Sequence, residues 1–286
     1  MVRLLDNEKT YDMLISLVNY KMKDEVFSCI ASLKKDIEYS GLRVGIVVVD
    51  NNSGDGVGEA LSVSHPDVLF LPLPDNIGMG AANNMAIRLR SATYYMVLNP
   101  DILFSKTSGC LRALFDFMEK NPKVGICGPE LRNSDGSLQY SSWRFPTILQ
   151  PLYSRTAFGR TRMGKENLHR YLMKDVDHTK VRPVDALMGS ALCVRKTAAD
   201  EVGLFDDGFF MYFEDIDWCL RMWEHGWAVY YVPTVSLIHA HGRGSAKVSG
   251  IFWPLLKNRL ARTHVRSWIR FLWKWRGKRL RYERKT

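Results

Sequence analysis

The sequence lacks the features that mark secreted, disulfide-rich and zinc-binding proteins. Its five cysteines are an odd number, and no CxxC pair occurs. They therefore offer neither a disulfide framework nor a zinc site, and a reducing compartment is expected. The first residues contain no apolar signal region, and no run of about 18 apolar residues occurs anywhere. We expect a chain that is neither secreted nor membrane-spanning.

Acidic residues are scarce at the C-terminal end. From Ile251 to Thr286 the sequence has twelve lysine or arginine residues and one acid, Glu283, within a chain of net charge +10. The first 250 residues are therefore almost neutral. This asymmetry predicts a catalytic body followed by a basic tail that contacts something anionic.

The sequence has no internal repeat and no low-complexity segment. Apolar strand patterns occur at Met13 to Val18, Val44 to Val49, Val68 to Leu71 and Tyr94 to Leu98, and helical patterns follow the first, third and fourth. Alternating strands and helices predict a parallel sheet, in which ligands bind beyond the carboxyl ends of the strands. After Gly128 the pattern is less regular, and we expect loops over the active site from Arg155 to Lys180.

Carboxylates follow two of the predicted strands, where a ligand is expected. Asp50 begins the turn DNNS and can accept from a ribose hydroxyl or a pyrimidine N–H, although a solvated turn is the alternative. Asp101 ends the segment LNPD, and a divalent cation that bridges two phosphates needs such a hard oxygen ligand. A lone NPD turn is common, so this segment is informative only in combination.

The segment NIGMGAANN opens a helix after the third strand. Asn76, Gly78, Gly80 and Asn83 lie where the free N–H groups of a helix start can face a phosphate. A dinucleotide fingerprint competes with this interpretation, but its third glycine is missing. A glycine helix start with amide caps is a structural alternative.

Three acids lie among aromatic residues in MYFEDIDWCLR. Glu214, Asp215 and Asp217 fall at the start of a helical pattern, where the helix dipole alone favours acids. Apolar surroundings also predict at least one raised pKa, which suits a general base for a substrate hydroxyl. Downstream, His239 and His241 lie two residues apart on one strand face and are candidate metal or phosphate ligands.

Six segments occur together in one order: VVVDNNS, DNIGMGAANN, LNPD, DALMGSALCVRK, GFFMYFEDIDWCLR and HAHGRGS. Over roughly residues 14–245 the sequence resembles the inverting family 2 glycosyltransferases of the GT-A fold. It looks most like bacterial rhamnosyltransferase-type members that build O-antigen and other cell-wall polysaccharides. The fold implied is α/β, a Rossmann-like, mostly parallel sheet flanked by helices, with a basic amphipathic helical tail at the C-terminus.

The resemblance also implies a domain organisation. A GT-A domain is expected at residues 1–248, with a nucleotide-sugar-binding half at 1–128 and an acceptor and catalytic half at 129–248. A basic, membrane-associating helical segment is expected at 249–286.

Site residues follow from the resemblance by position. Donor binding is assigned to Asn19, Asp50, Asn76, Gly78, Asn83, Asn99 and Asp101. Asp101 resembles the last acid of the family's DxD metal motif and His239 its later histidine ligand, which implies a divalent cation, Mg²⁺ or Mn²⁺. Asp215 resembles the catalytic base, with Glu214 beside it. Further candidates are Asp217, His241 and Arg243. Asn99 replaces the first DxD acid, which predicts a weakly held cation.

The implied reaction is transfer of a sugar, L-rhamnose from dTDP-L-rhamnose, to a polyprenyl-diphosphate-linked saccharide in bacterial surface polysaccharide synthesis. Alternatives are transfer of another hexosyl or a galactofuranosyl group from a UDP-sugar, and a non-catalytic nucleotide-sugar-binding protein at the membrane surface, which Asn99 favours. A nicotinamide-dependent oxidoreductase is a third alternative, and the incomplete glycine pattern disfavours it.

The basic tail carries a separate prediction. An apolar stripe of Leu260, Val265, Ile269 and Leu272 runs beside basic residues at Arg262, Arg266, Arg270 and Lys274, with tryptophans at 253, 268, 273 and 275. Such a helix is suited to lie on an anionic bilayer surface. This predicts a cytoplasmic protein attached peripherally to the inner face of the cytoplasmic membrane. A helix docked on the domain is the alternative, and no nucleic-acid partner is expected.

Overall fold

A computed structural model describes residues 10–105, 109–147, 150, 153, 157–240 and 259–278. The strands are β1 Tyr11–Asn19, β2 Val44–Asp50, β3 Leu69–Pro72, β4 Ala92–Leu98, β5 Ile102–Phe104, β6 Val124–Arg132, β7 Leu138–Gln139, β8 Ser142–Trp143, β9 Arg182–Pro183, β10 Ala186–Leu187, β11 Ala191–Arg195 and β12 Ala228–His239. The helices are α1 Lys23–Ser40, α2 Val57–Ser64, α3 Met79–Leu89, α4 Cys110–Lys120, α5 Arg162–Tyr171, α6 Lys196–Val202, α7 Glu214–Glu224 and α8 Arg259–Lys274.

The first four strands form the parallel half of a mixed sheet, in the order β3-β2-β1-β4. The centre of β2 is buried on both faces, because helices cover both sides of the sheet, and this explains its uninterrupted apolar sequence. In the ladder Asn19 pairs with Asp50, and Leu17 pairs with Leu98. The polar residues at the ends of β1, β2 and β4 therefore meet at one edge, as the sequence predicted.

Four strands that follow β4 in the sequence extend the same sheet. The order continues from β4 as β11-β6-β12-β5; β11 is antiparallel to β4 and β6, whereas β12 is parallel to β6. Helices α1, α2 and α4 cover one face of the sheet, and α3, α6 and α7 pack on the other. The predicted α/β architecture is confirmed.

The prediction of loops from Arg155 to Lys180 is wrong for part of this segment, because residues 162–171 form helix α5. The Thr161 side chain caps the helix by accepting from Gly164 N at 3.1 Å. Most of α5 is polar and exposed or half-buried, so it lacks the apolar periodicity from which a helix is recognised.

Helix α8 is docked on the domain, as the alternative for the basic tail predicted. The buried residues are Ser267 and Phe271, followed by Trp275 just after the helix. This differs from the predicted apolar stripe, since Leu260 and Ile269 remain 38% and 56% exposed. Within the described part of the chain, no helix has the length and apolarity needed to cross a membrane. Trp253 lies outside the described residues.

Candidate active site

Asp50 and Asn19 form a hydrogen-bonded pair at the carboxyl ends of β1 and β2. The fully buried Asn19 donates through Nδ2 to Asp50 Oδ1 at 3.0 Å and to Ser53 Oγ at 3.0 Å. Its Oδ1 accepts from Met22 N at 3.1 Å. Asn19 thus orients the partly exposed Asp50 carboxylate, while its own polar groups are engaged within the protein.

The loop before α3 is tied to the turn after β2. Asn51 donates to Asn76 Oδ1 at 3.0 Å and accepts from Ile77 N at 2.9 Å. Gly78 has φ +94°, and a Cβ at this position would lie 2.3 Å from the Phe210 carbonyl oxygen. That close approach explains the glycine. The same carbonyl accepts from Met79 N at 2.9 Å, so one N–H group of the α3 start is engaged by protein.

Asn83 lies inside the molecule. It is 1% exposed, and its Oδ1 accepts from Ser16 Oγ at 2.7 Å while its Nδ2 donates to Met79 O at 3.0 Å. The structure therefore brings Asn76 and Gly78 to the turn beside Asp50 and places the Asn83 amide between β1 and α3.

The pairing of β5 with β12 brings Asp101 and His239 together. His239 pairs with Ile102 in the ladder, and its Nε2 lies 3.2 Å from Asp101 Oδ1. On the other side of the ring, Nδ1 lies 2.7 Å from Gln139 Oε1. An amide oxygen only accepts, so in this contact Nδ1 carries the proton.

The Asp101 and His239 pair fits a divalent cation. A carboxylate oxygen and an imidazole nitrogen face each other there. Both can be ligands of Mn²⁺ or Mg²⁺ together with phosphate or water oxygens. The described residues contain no group of three or more His, Cys, Asp or Glu side chains that could hold a metal ion. A cation at this pair would thus take the rest of its ligands from elsewhere. His241 and Arg243 lie outside the described residues.

A short backbone segment connects Asn99 to helix α7. Asn99 donates from its backbone N to Ser190 O at 2.9 Å and from Nδ2 to Ser190 Oγ at 3.2 Å. The preceding residue, Gly189, donates its N–H to Asp215 Oδ2 at 2.8 Å. Gly189 therefore holds Asp215, and the next residue, Ser190, holds the LNPD turn that contains Asp101.

Glu214 and Asp215 differ in how their carboxyl groups are held. Asp215 accepts from the N–H groups of Gly189 and Ile216, each at 2.8 Å. Glu214 is 8% exposed, and its Oε2 has no hydrogen-bond partner among the described residues. Such a buried oxygen without a donor destabilises the ionised form.

The surroundings of the two carboxyl groups favour ionisation of Asp215 over ionisation of Glu214. Burial, and then the negative charge of Asp215, raise the pKa of Glu214 to about 8. Burial also raises the pKa of Asp215, but the N–H groups of Gly189 and Ile216 oppose that rise. Asp215 is therefore the carboxyl group whose ionised form the backbone stabilises, whereas Glu214 holds its proton at neutral pH.

The turn before α7 is strained and is held from outside. Tyr212 and Phe213 both have φ +69°, an unfavourable conformation for aromatic residues. Helix α8 packs against this turn, with Phe271 5.4 Å from Phe213 between ring centroids, and Ser267 Oγ donates to Met211 O at 2.8 Å. Docking of α8 thus stabilises the backbone that presents Glu214 and Asp215.

Asp217 faces helix α8. It is 0% exposed and accepts from Lys274 Nζ at 2.9 Å, Trp275 Nε1 at 2.9 Å and Arg221 Nε at 2.9 Å. These contacts make Asp217 the anchor of the C-terminal helix.

Three residues of the site were not singled out by the sequence reasoning. Asn51 lies in the DNNS segment, where its neighbour Asp50 drew attention. Ser190 lies in the DALMGSALCVRK segment, which gives no local sign of a contact with Asn99. Gln139 lies in a two-residue strand and has no sequence signal at all, because its role depends on a contact with His239 across 100 residues of sequence.

Comparison with known sequences supports the family resemblance that the six segments indicate. Residues 15–176 match the family described as Glycosyl transferase family 2, and residues 105–282 match Glycosyl transferase family group 2. An N-acetylglucosaminyl-diphospho-decaprenol L-rhamnosyltransferase of Mycobacterium tuberculosis is 32% identical over 222 residues, which cover 70% of this chain and 68% of that protein. A dTDP-rhamnosyl transferase of Shigella flexneri is 34% identical over 213 residues, which cover 73% of this chain and 64% of that protein.

Solved structures share the fold at low sequence identity. A mannosyltransferase from Pyrobaculum calidifontis, in complex with GDP-Man and Mn²⁺, has a TM-score of 0.57 at 15% identity over 85% of this chain. GalNAc-T7 with UDP, GalNAc and Mn²⁺ has a TM-score of 0.63 at 13% identity over 93% of this chain. The chain spans 61% and 48% of these two structures. With the family match covering more than half of its length, this chain is a glycosyltransferase that belongs to glycosyl transferase family 2.

Proposed function

We propose that the chain transfers L-rhamnose from dTDP-L-rhamnose to a saccharide linked to polyprenyl diphosphate. The observation that carries the proposal is Asp215, a carboxyl group that accepts from two backbone N–H groups beside Glu214 and is fastened to the same segment as the LNPD turn. The activities named for the Mycobacterium and Shigella relatives support the sugar, and that of the Mycobacterium relative supports the acceptor.

In this proposal Asp215 is the general base. Its carboxylate takes the proton of an acceptor hydroxyl while that oxygen attacks the anomeric carbon of the donor, and the bond from that carbon to the nucleoside diphosphate breaks. A single displacement of this kind inverts the anomeric configuration. Asp50 would orient the nucleoside, since its carboxylate is fixed by Asn19 at the edge where donors bind.

We also propose that Asp101 and His239 hold a divalent cation, Mg²⁺ or Mn²⁺. When bound, the cation supplies positive charge to the leaving nucleoside diphosphate. Gln139 accepts from His239 Nδ1, so Nε2 is the ring nitrogen that faces Asp101. The Mn²⁺ in the two solved structures of this fold supports a cation, and Asn99, which replaces an acid, supports weak binding.

Replacing Gln139 tests this metal site without touching a ligand. Gln139→Leu removes the acceptor for His239 Nδ1, and we expect the Mn²⁺ concentration for half-maximal turnover to rise by about 10- to 100-fold. Gln139→Glu keeps an acceptor oxygen and should remain close to wild type. Mn²⁺ affinity can also be measured in the presence of dTDP, with free Mn²⁺ quantified by electron paramagnetic resonance. Gln139→Leu should bind Mn²⁺ more weakly than Gln139→Glu and the wild-type protein. Equal Mn²⁺ affinity in both variants would remove Gln139 from this role.

A donor screen tests the sugar assignment. Purified protein is incubated with Mn²⁺, a prenyl-diphosphate-linked N-acetylglucosamine and either dTDP-L-rhamnose or one of several UDP-sugars, and mass spectrometry identifies the product. We expect product from dTDP-L-rhamnose. Product from a UDP-hexose or UDP-galactofuranose alone would support the hexosyl or galactofuranosyl alternative, and a hexosyltransferase of Haloferax volcanii, 25% identical over 232 residues, is a relative of that kind. No turnover with any donor would favour the non-catalytic alternative.

We further propose that the chain attaches peripherally to the anionic inner face of the cytoplasmic membrane through the outward side of α8. Ile269 and Trp273 are 56% and 67% exposed there, on a helix rich in arginine. The wild-type protein should sediment with phosphatidylglycerol vesicles, whereas the variant Ile269→Ser/Trp273→Ser should remain in the supernatant. Equal sedimentation of the two proteins would contradict this orientation.

A further inference from the structure

A cleft lined by arginines lies between α8 and the loop that follows α6. Its volume is about 640 Å³. Four of the eight residues that line it are Arg259, Arg262, Arg266 and Arg270, and none of those eight is acidic. Gly208 and Phe210 form the opposite wall. A concave surface with this charge selects an anion, and the planar guanidinium group matches phosphate oxygens in particular.

The cleft is rigidly connected to the catalytic pair. Phe210 precedes Glu214 by four residues, and α8 is fastened to the intervening turn through Ser267 and Phe271. The guanidinium of Arg270 stacks over the Phe209 ring at 5.3 Å and pairs with Asp206 Oδ1 at 3.0 Å, which fixes one side of the cleft. An anion in the cleft is therefore held at a defined position relative to Asp215.

Two kinds of diphosphate take part in the proposed reaction. The nucleoside diphosphate of the donor is assigned to the edge that holds Asp50, Asp101 and His239. The Phe210 backbone separates the cleft from the donor-side loop, because its carbonyl is engaged by Met79 N and packed on Gly78. The second diphosphate belongs to the acceptor and carries an apolar chain. Ile269 and Trp273 expose apolar surface on the same helix as the arginines, where such a chain would lie.

We infer that the arginine cleft binds the diphosphate of the lipid-linked acceptor and so positions the acceptor sugar for Asp215. This inference rests on the proposed function, because it assumes an acceptor of that class.

The test compares two double variants that each remove two positive charges. Arg262→Gln/Arg266→Gln changes the cleft, and Arg276→Gln/Lys278→Gln changes exposed residues beyond the end of α8 that do not line it. Without vesicles, we expect the cleft variant to raise KM for farnesyl-diphosphate-linked N-acetylglucosamine at least about tenfold. KM for the nucleotide sugar should stay unchanged. With octyl N-acetylglucosaminide, which has no diphosphate, the cleft variant should match wild type, and the control variant should match wild type with both acceptors.

Other outcomes would overturn the inference. An equal effect on both acceptors would mean that the arginines do not sense the diphosphate, and a raised KM for the nucleotide sugar would assign the cleft to the donor. Loss of binding to phosphatidylglycerol vesicles with an unchanged acceptor KM would assign it to lipid headgroups.

A direct binding measurement separates failure of this inference from failure of the proposed function. Farnesyl diphosphate is titrated into wild-type protein and the cleft variant by calorimetry, with no donor present. We expect at least about tenfold weaker binding by the variant even if no sugar is transferred in any assay. Equal binding by the two proteins would overturn the inference, whatever the outcome of the donor screen.

Discussion

Asp215→Asn lowers kcat for sugar transfer by about 10²- to 10⁴-fold, the contribution expected of a general base. The substitution keeps the shape of the side chain and an oxygen that can accept from a backbone N–H, so circular dichroism and donor binding should remain those of wild type. Its amide cannot take the proton of an acceptor hydroxyl. Initial rates of product formation at saturating donor and acceptor provide the measurement.

Glu214→Gln is the matched control for this substitution. Because the raised pKa of Glu214, about 8, keeps it protonated at neutral pH, glutamine imitates its neutral form, and kcat should stay within about tenfold of wild type. A variant Asp215→Asn that retained more than a tenth of wild-type kcat would assign the base to another residue. If Glu214→Gln were the inactive variant, the roles of the two acids would be exchanged.

The pH profile follows from the same two groups. Asp215 is a base only when ionised, and burial raises its pKa, so kcat should rise as the pH increases through that pKa. Near pH 8 the ionisation of Glu214 adds a second negative charge, which disfavours departure of the anionic diphosphate, and kcat should fall. Glu214→Gln should keep the rise at low pH and lose the fall. An alkaline limb that persists in the variant would belong to another group.

Asp217→Ala should lower the free energy of unfolding by about 3–5 kcal/mol, because it leaves buried cationic and N–H donors without their partner. Asp217 is fully buried and binds Lys274, Arg221 and Trp275 together. Urea unfolding measures the loss. Limited proteolysis should also cleave near α8 in the variant, since the contact that fastens this helix to α7 is gone.

Glu224→Gln is the matched comparison, because it removes an exposed ion pair between α7 and the C-terminal end of the α8 segment. Glu224, on α7, pairs with Lys278 at 2.8 Å, but the lysine side chain is 54% exposed and the glutamate 25% exposed. A pair of this kind contributes about 1 kcal/mol or less. If Asp217→Ala cost no more than Glu224→Gln, the buried network would not be what holds α8 on the domain.

Much of the donor-side fold was predictable because its signals are local. The strand VGIVVV is apolar on both faces and ends in a polar turn. Both features are typical of strands in a parallel sheet that is covered by helices. Strand ends in such a sheet meet at one edge, so Asp50 and Asp101 were placed by topology alone. His239 was placed next to Asp101 by the resemblance, and the pairing of β5 with β12 supplies the reason.

The roles of buried polar residues depended on contacts that the sequence does not display. Asn83 was predicted to line a donor pocket, yet its amide joins Ser16 to Met79 in the interior. Asp217 was a further site candidate beside Glu214 and Asp215, but in the structure it binds α8. The same applies to α8 itself, because two of its faces carry apolar residues, and the pattern did not say which one packs on the domain.

The proposed reaction is a single displacement at the anomeric carbon, with the base at Asp215 and the leaving diphosphate at the Asp101 edge. The anomeric configuration of the product is its sharpest test, and the one-bond carbon–hydrogen coupling, measured by nuclear magnetic resonance on product made by the wild-type protein, determines that configuration. We expect a glycoside of the configuration opposite to that of the nucleotide sugar. A product with the donor's configuration would contradict it.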